Sequence, residues 1–255
     1  MPAVSGKGEF CVLRLDKFLC DMQIGTRSQV KEAIRKSLVS VNGVPVKSPD
    51  IKIDEKKDIV TYAGEEIAYQ NLYYYMLHKP AGVITATRDH HEPTVMDLLT
   101  DVCGKDLAPV GRLDKDTEGL LLITNDGELT HKLLSPGKHV AKTYYVECSG
   151  VLTAEKQRLL ENGVDIGDRD LTCPASVHMI SQSDHSYVME LTITEGRFHQ
   201  VKRMVEAVGG SVTYLKRLSM GTLSLDDGLA KGAYRPLTAK EISDLKQSTK
   251  RISAR

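Results

Sequence analysis

Two early stretches of the chain place apolar residues at helical spacing. Leu15, Phe18, Leu19 and Met22 fall on one face, and Gly25 ends the run. Thr26 or Ser28 can cap a second helix, on which Val30, Ile34 and Leu38 recur every fourth position. Arg27, Lys31 and Arg35 share another face of that helix. The period then changes. Val39-Ser40-Val41, the turn Asn42-Gly43 and Val44-Pro45-Val46 predict a short hairpin. Lys52 to Val60 and its continuation predict a closing strand, and the polar stretch from Thr61 to Leu72 reads as a linker.

Beyond Leu72 the pattern mixes strands and helices. Tyr73 to Leu77 and Val83 to Thr87 are apolar runs separated by the turn signal Lys79-Pro80-Ala81-Gly82. Leu120 to Thr124 predicts a strand stopped by Asn125-Asp126-Gly127, and Glu128 to Leu134 a short helix. Lys142 to Cys148 predicts a strand, and Thr153 caps a helix that ends at Asn162-Gly163. Tyr187 to Thr194 alternates as a strand does. Phe198 to Val208 is helical and closes with Gly209-Gly210, after which Val212 to Leu218 returns as a strand. Thr238 and Glu241 form a capping box for a last helix, followed by a basic, frayed tail at 246–255.

Composition narrows the class. Hydrophobic residues at 41% and charged residues at 27% are ordinary for a soluble globular protein. No apolar run approaches the ~18 residues that span a bilayer, and the first residues lack a signal-peptide core. A cytoplasmic protein without a membrane partner is expected. Cys11, Cys20, Cys103, Cys148 and Cys173 are dispersed and form no C-x-x-C pair, so they read as reduced thiols. His90 and His91 are adjacent, a poor arrangement for gripping one ion, and no metal is expected. Lys plus Arg and Asp plus Glu are both 34, so the chain is formally neutral. Nucleic-acid contact then has to rest on local basic faces rather than on net charge.

The stretch with most chemical content is Gly111 to Thr124, where a polar loop holding Asp114, Asp116 and Glu118 runs directly into an apolar strand. Such a junction can fix a carboxylate at the mouth of a sheet. A calcium loop is disfavoured, because Asn125 stands where a bidentate Glu would be needed and a strand follows instead of a helix. A hydrolase with Asp114 and Asp116 as paired acids is disfavoured by the absence of Trp, the usual sugar platform. Ordinary loop carboxylates remain the default on these residues alone.

Two resemblances change that default. Arg14-Leu15-Asp16-Lys17, Ser28 with the basic helix, and Val41-Asn42-Gly43 resemble the alpha-L RNA-binding module of a small-subunit ribosomal protein and of tyrosyl-tRNA synthetases. That resemblance implies that Arg14, Lys17, Arg27, Lys31 and Arg35 face RNA phosphates. The string GRLDKDTEGLLLITNDGEL at 111–129 resembles the central motif of the RsuA-like family of pseudouridine synthases, which modify ribosomal RNA. His78 to Gly82, Ser135-Pro136 with Lys142-Thr143-Tyr144, Asp170 to Ala175, and Glu195 to Met204 follow in family order.

The family resemblance implies an α+β fold, with a mixed, largely antiparallel sheet, flanking helices and a central RNA cleft. It implies that Asp114 is the catalytic carboxylate, Tyr144 the active-site tyrosine and Lys202 the basic partner of the aspartate. Many relatives carry Arg at that last position, and Lys makes a less directional pair. Arg112 matches an arginine associated with base extrusion. Arg203, on a different helix face from Lys202, is expected to touch RNA.

The expected layout is an extension at 1–13 expected to be disordered, the alpha-L module at 14–60, a linker at 61–71, the synthase domain at 72–245 and the tail at 246–255. The expected activity is isomerisation of uridine in ribosomal RNA or a pre-ribosomal particle, by a monomer without a cofactor. Asp170 to Ala175 and Glu195 to Met204 look most like the enzyme acting on small-subunit rRNA. A large-subunit rRNA target and a non-catalytic ribosome-assembly factor are the alternatives.

Overall fold

The computed structural model describes residues 12–251 apart from Gln23, Glu55, Lys56, Ala68, Gln70, Asn71, Asp101 and Cys103. Residues 1–11 of the expected extension, including Cys11, and 252–255 of the expected tail lie outside the described residues. The chain forms two compact units. One runs to Leu72 and takes in Val102–Lys105, and the other holds the remainder.

The first unit opens with β1 (Val12–Arg14), so Val12 and Leu13 are strand residues rather than part of a loose extension. α1 (Leu15–Asp21) follows, then α2 (Arg27–Arg35). Thr26, not Ser28, is the cap of α2. Its hydroxyl accepts from the Gln29 amide, and the Gln29 side chain accepts from the Thr26 amide at 2.8 Å. β2 (Val39–Val41) and β3 (Val44–Pro45) form the predicted hairpin, with Asn42 and Gly43 at φ of 52° and 78°. Those left-handed values are what a type I′ turn requires.

The predicted strand from Lys52 to Val60 is two strands, β4 (Lys52–Asp54) and β5 (Val60–Tyr62). Asp58 breaks it. Its carboxylate accepts from the Asp54 amide at 2.7 Å and from the Asn42 side chain at 2.9 Å, which closes a turn between the two. β4 pairs with β1, whereas β5 joins a sheet ordered β3-β2-β5-β6. β6 (Glu65–Ile67) lies in the stretch read as a linker, and turns back at Ala63 and Gly64, both at positive φ. Its polarity misled, because a short edge strand with Glu65 exposed and Ile67 half-buried carries little apolar signal. Leu15, Phe18, Leu19, Ile34, Ile53 and Val60 make the core.

The second unit contains β7 (Tyr74–Lys79), β8 (Ala108–Pro109), β9 (Glu118–Thr124), α3 (Gly127–Leu134), β10 (Lys142–Ser149) and α4 (Ala154–Asn162). It continues through β11 (Ser176–Gln182), β12 (Ser186–Ile193), α5 (Gln200–Ala207), β13 (Ser211–Met220), β14 (Leu223–Ser224), β15 (Tyr234–Pro236) and α6 (Ala239–Arg251). The sheet has nine strands, with the path β11-β12-β10-β13-β9-β7-β15 and with β14 and β8 alongside β13 and β9. Among the described strands of this sheet, β9 and β13 alone run parallel. This is the mixed, largely antiparallel α+β architecture expected.

Local departures have local causes. Val83 to Thr87 is not a strand and makes one bridge, Ile84 to Thr94. α5 begins at Gln200 because His199 adopts φ 48°, outside the helical region. α6 extends through Lys246 to Arg251, which the sequence reading gave to a frayed tail. It is tied down there: the Lys246 ammonium lies 5.1 Å from the centre of the Tyr74 ring and 3.3 Å from Asp126.

The parallel pair β9–β13 is the tight junction of the sheet, and Gly119 makes it possible. Gly119 has φ 103°, and a Cβ there would stand 2.2 Å from the Arg217 carbonyl oxygen. Gly119→Ala therefore forces β13 away and strains its own backbone. We expect it to lower stability by roughly 3 kcal/mol or more, read as a drop in the denaturant midpoint. A neutral effect would contradict this packing.

Candidate active site

The loop carrying Asp114 lies between β8 and β9 and is held from below by Lys79, the last residue of β7. Lys79 is fully buried, and its ammonium donates to the carbonyls of Thr117 (2.8 Å), Asp114 (3.0 Å), Pro80 (3.1 Å) and Lys115 (3.3 Å). Burial pushes its pKa down to about 8, against the nearby charges of Asp116, Asp114 and Glu118. The carbonyl cage favours the protonated form, since each contact needs an N–H donor. Thr85 adds a second brace, with its hydroxyl donating to the Leu113 carbonyl at 2.7 Å and accepting from the Leu113 amide at 3.1 Å. The sequence showed Lys79 and Thr85 only as neighbours of a turn.

α5 brings the basic groups to this loop. Glu195 fixes its start by accepting from the Cys173 amide (2.9 Å), the Gln200 side chain (2.7 Å) and Arg197 (3.0 Å). Three residues apart on the same side, His199 Nε2 and Lys202 Nζ then each stand 3.5 Å from the Asp114 carboxylate. Lys202 is nearer to Asp116, bonding both of its oxygens at 2.7 and 2.8 Å. The hydrogen bond from Lys202 lowers the Asp116 pKa. Asp116 is 71% exposed, so this contact is solvent-screened and contributes little stability. Asp114 is half-buried at 29%, where an opposite charge matters more. The sequence reading paired Lys202 with Asp114 alone, and missed both Asp116 as its closer partner and His199 as a neighbour.

β10 and β13 contribute to the same site. Lys142 and Tyr144 lie on the buried face of β10, and Tyr144 is the cross-strand partner of Arg217 on β13. These residues line a cavity of about 360 Å³ together with Asp114, His199 and Lys202. Arg112 lines it and is exposed. Lys142 and Arg217 are buried, and sequence reasoning gave neither a role.

Arg203 does not line the cavity. Its guanidinium bonds Asp168 (2.7 Å) and the carbonyls of Phe198 (2.8 Å) and Ile166 (3.0 Å), anchoring α5 to the 166–168 loop. In the other unit, Lys17, Arg27, Lys31 and Arg35 are exposed as expected. Arg14 is exposed too, but its guanidinium grips Asp16 through both oxygens, at 3.0 and 2.9 Å.

Removing the ammonium that holds the loop should free it. Lys79→Met keeps the buried stem but strips the carbonyl cage of its donor, at a cost of roughly 3 kcal/mol. The amides of Gly82 and Thr117, which donate to Lys115 (2.8 Å) and Asp114 (3.1 Å), should then exchange with solvent faster. Unchanged exchange at both would show that the loop holds without Lys79.

Comparison with known proteins gives a consistent picture. Residues 73–207 match the RNA pseudouridylate synthase family, and residues 13–60 match the S4 domain. An uncharacterized RNA pseudouridine synthase of Bacillus subtilis is 46% identical, covering 90% of this chain and 97% of its own. Ribosomal small subunit pseudouridine synthase A of Escherichia coli is 39% identical, covering 91% of this chain and all of its own. A crystal structure of a pseudouridylate synthase superposes with a TM-score of 0.64 at 38% identity, covering 91% of this chain and 99% of that one. With the catalytic-domain match spanning the Asp114 loop, β10, α5 and most of the sheet, this chain belongs to the RNA pseudouridylate synthase family.

Proposed function

We propose that this protein isomerises uridine to pseudouridine in small-subunit ribosomal RNA, in the cytoplasm, with Asp114 as the catalytic carboxylate. The observation that carries the reading is the half-buried Asp114, held by a caged loop and lining one cavity with Tyr144. The small-subunit target is taken from relatives such as the Escherichia coli enzyme, whose sequence aligns along 91% of this chain. The cavity, at about 360 Å³, falls in the range of ~300–1,000 Å³ typical of sites for small molecules. It can take one nucleotide drawn out of the RNA stack.

The chemistry needs no redox change. The bond between uracil N1 and ribose C1′ breaks, the base turns, and C5 bonds to C1′. Asp114 either attacks C1′ or removes the C2′ proton. Lys202 and His199 stand 3.5 Å from its carboxylate in both cases. Tyr144 lies against the base, and Arg112 at the exposed rim fills the stack that the base leaves. Asp114→Asn should bind RNA as the wild type does and lose all detectable isomerisation, while Asp116→Asn keeps most of it. Turnover by Asp114→Asn above a small fraction of wild type would sink the assignment.

RNA affinity is assigned to the first unit. Arg27, Lys31 and Arg35 are exposed on one helix of a formally neutral chain and form no ion pair among the described residues. Each phosphate they neutralise adds ~0.7–0.9 to the slope of log affinity against log salt. Replacing all three with Ala should weaken rRNA binding and flatten that slope by up to ~3. Single-turnover rates at saturating RNA should be preserved. An unchanged slope would make the stripe a solvated helix face.

A further inference from the structure

The cavity that Asp114 lines holds two buried cations that the account so far leaves without work. Lys142 and Arg217 are 8% and 2% exposed, and neither forms an ion pair among the described residues. Lys142 Nζ donates to the Val140 carbonyl at 3.0 Å. Arg217 Nε donates to the Leu120 carbonyl at 2.8 Å, and its Nη2 is buried with no hydrogen-bond partner. Both residues line the cavity. Burial pushes the Lys142 pKa down to about 8, and the charge of Arg217 adds to the effect. Two like charges out of water and without a counter-ion destabilise a fold. The bond to Leu120 explains Arg217 Nε as a brace of the β9–β13 junction, but it explains neither Nη2 nor Lys142. The arrangement is that of a site awaiting an anion.

We propose that Lys142 and Arg217 are catalytic residues that hold the uracil ring as an anion once its bond to ribose has broken. The inference rests on the reading of this chain as a uridine isomerase. When N1–C1′ breaks, its electron pair stays on uracil and spreads over N1, O2 and O4. Asp114 attack at C1′ and removal of the C2′ proton release the same anion. C5 then donates a ring electron pair to C1′, the C5 proton leaves to a base, and N1 takes up a proton. Atoms and charge therefore balance, and the product is an isomer. In the attack route the Asp114–C1′ bond breaks as C5–C1′ forms, and in the elimination route the C2′ proton returns. Either way the cavity must retain a free, charged ring while it turns. Fixed cations in a dry wall do that without reorganising. The site is thus polarised, with a carboxylate toward the sugar and cations toward the base, and Tyr144 stands on the same strand pair as the cations.

The test compares two substrates in single-turnover experiments with the full chain. The fluorine of 5-fluorouridine withdraws electrons, making the base a better leaving group that needs less help from the wall. Bond breaking is read as loss of the original nucleoside after digestion and chromatography. Lys142→Met fills the same space and removes a buried charge, so its thermal midpoint should match or exceed that of the wild type. With uridine RNA it should break the bond ~100-fold more slowly, and with 5-fluorouridine RNA no more than ~10-fold more slowly. RNA affinity should stay within a few-fold, and Lys142→Arg should recover most of the uridine rate. Arg217→Gln should show the same substrate-dependent loss. Equal losses on both substrates, or no loss on uridine, would overturn the proposal. A wild-type chain that fails to isomerise uridine at all would instead overturn the functional reading beneath it.

Discussion

A single buried ammonium decides where the candidate carboxylate stands. Lys79 ends a central strand and donates to four carbonyl oxygens, three of them on the loop at 114–117. Backbone carbonyls carry no net charge, so the cage satisfies the lysine without neutralising it. The ammonium therefore ties the loop through its backbone alone. The rigidity comes from the sheet. β7 is paired on both sides, and β9, into which the loop runs, is wedged between β7 and β13. A loop that alone would sample many conformations is held to one.

From that fixed point, charged groups gather around the cavity. Asp114 meets His199 and Lys202 at 3.5 Å, far enough to leave its oxygens open to substrate. Asp116, exposed, takes the shorter contacts with Lys202 and limits how closely that lysine can clasp Asp114. Lys142, Tyr144 and Arg217 line the same cavity, with Tyr144 the cross-strand partner of Arg217. A nucleotide entering this space would meet both a carboxylate and buried cations. The family's reaction can use both, because the sugar becomes electron-poor while the base becomes electron-rich.

The pattern of residues disclosed most of the strands and helices, missed the polar edge strand β6, and hid contacts that are long-range. Leu120 to Thr124 announced β9 because it is buried on both faces, and Asn42-Gly43 announced a hairpin by turn chemistry alone. Lys79 sat in plain view, but its partners at 114–117 are more than thirty positions away, and no local rule joins them. Arg217 is an arginine in a strand, which ordinarily reads as an exposed position, yet it is buried by the parallel pairing that Gly119 permits. Asp116 looked idle until α5 placed Lys202 against it. The split between β4 and β5 depended on Asp58 reaching Asn42, sixteen positions back. Arg203 was read as an RNA contact, but the 166–168 loop supplies its partners.

The most direct test of the account is chemical mapping of pseudouridine in ribosomal RNA from cells with the gene deleted. Cells complemented with the wild-type gene and with the Asp114→Asn gene are mapped alongside. The account predicts that one small-subunit pseudouridine disappears on deletion, returns with the wild-type gene and stays absent with the variant. An unchanged small-subunit map, or restoration by Asp114→Asn, would contradict it.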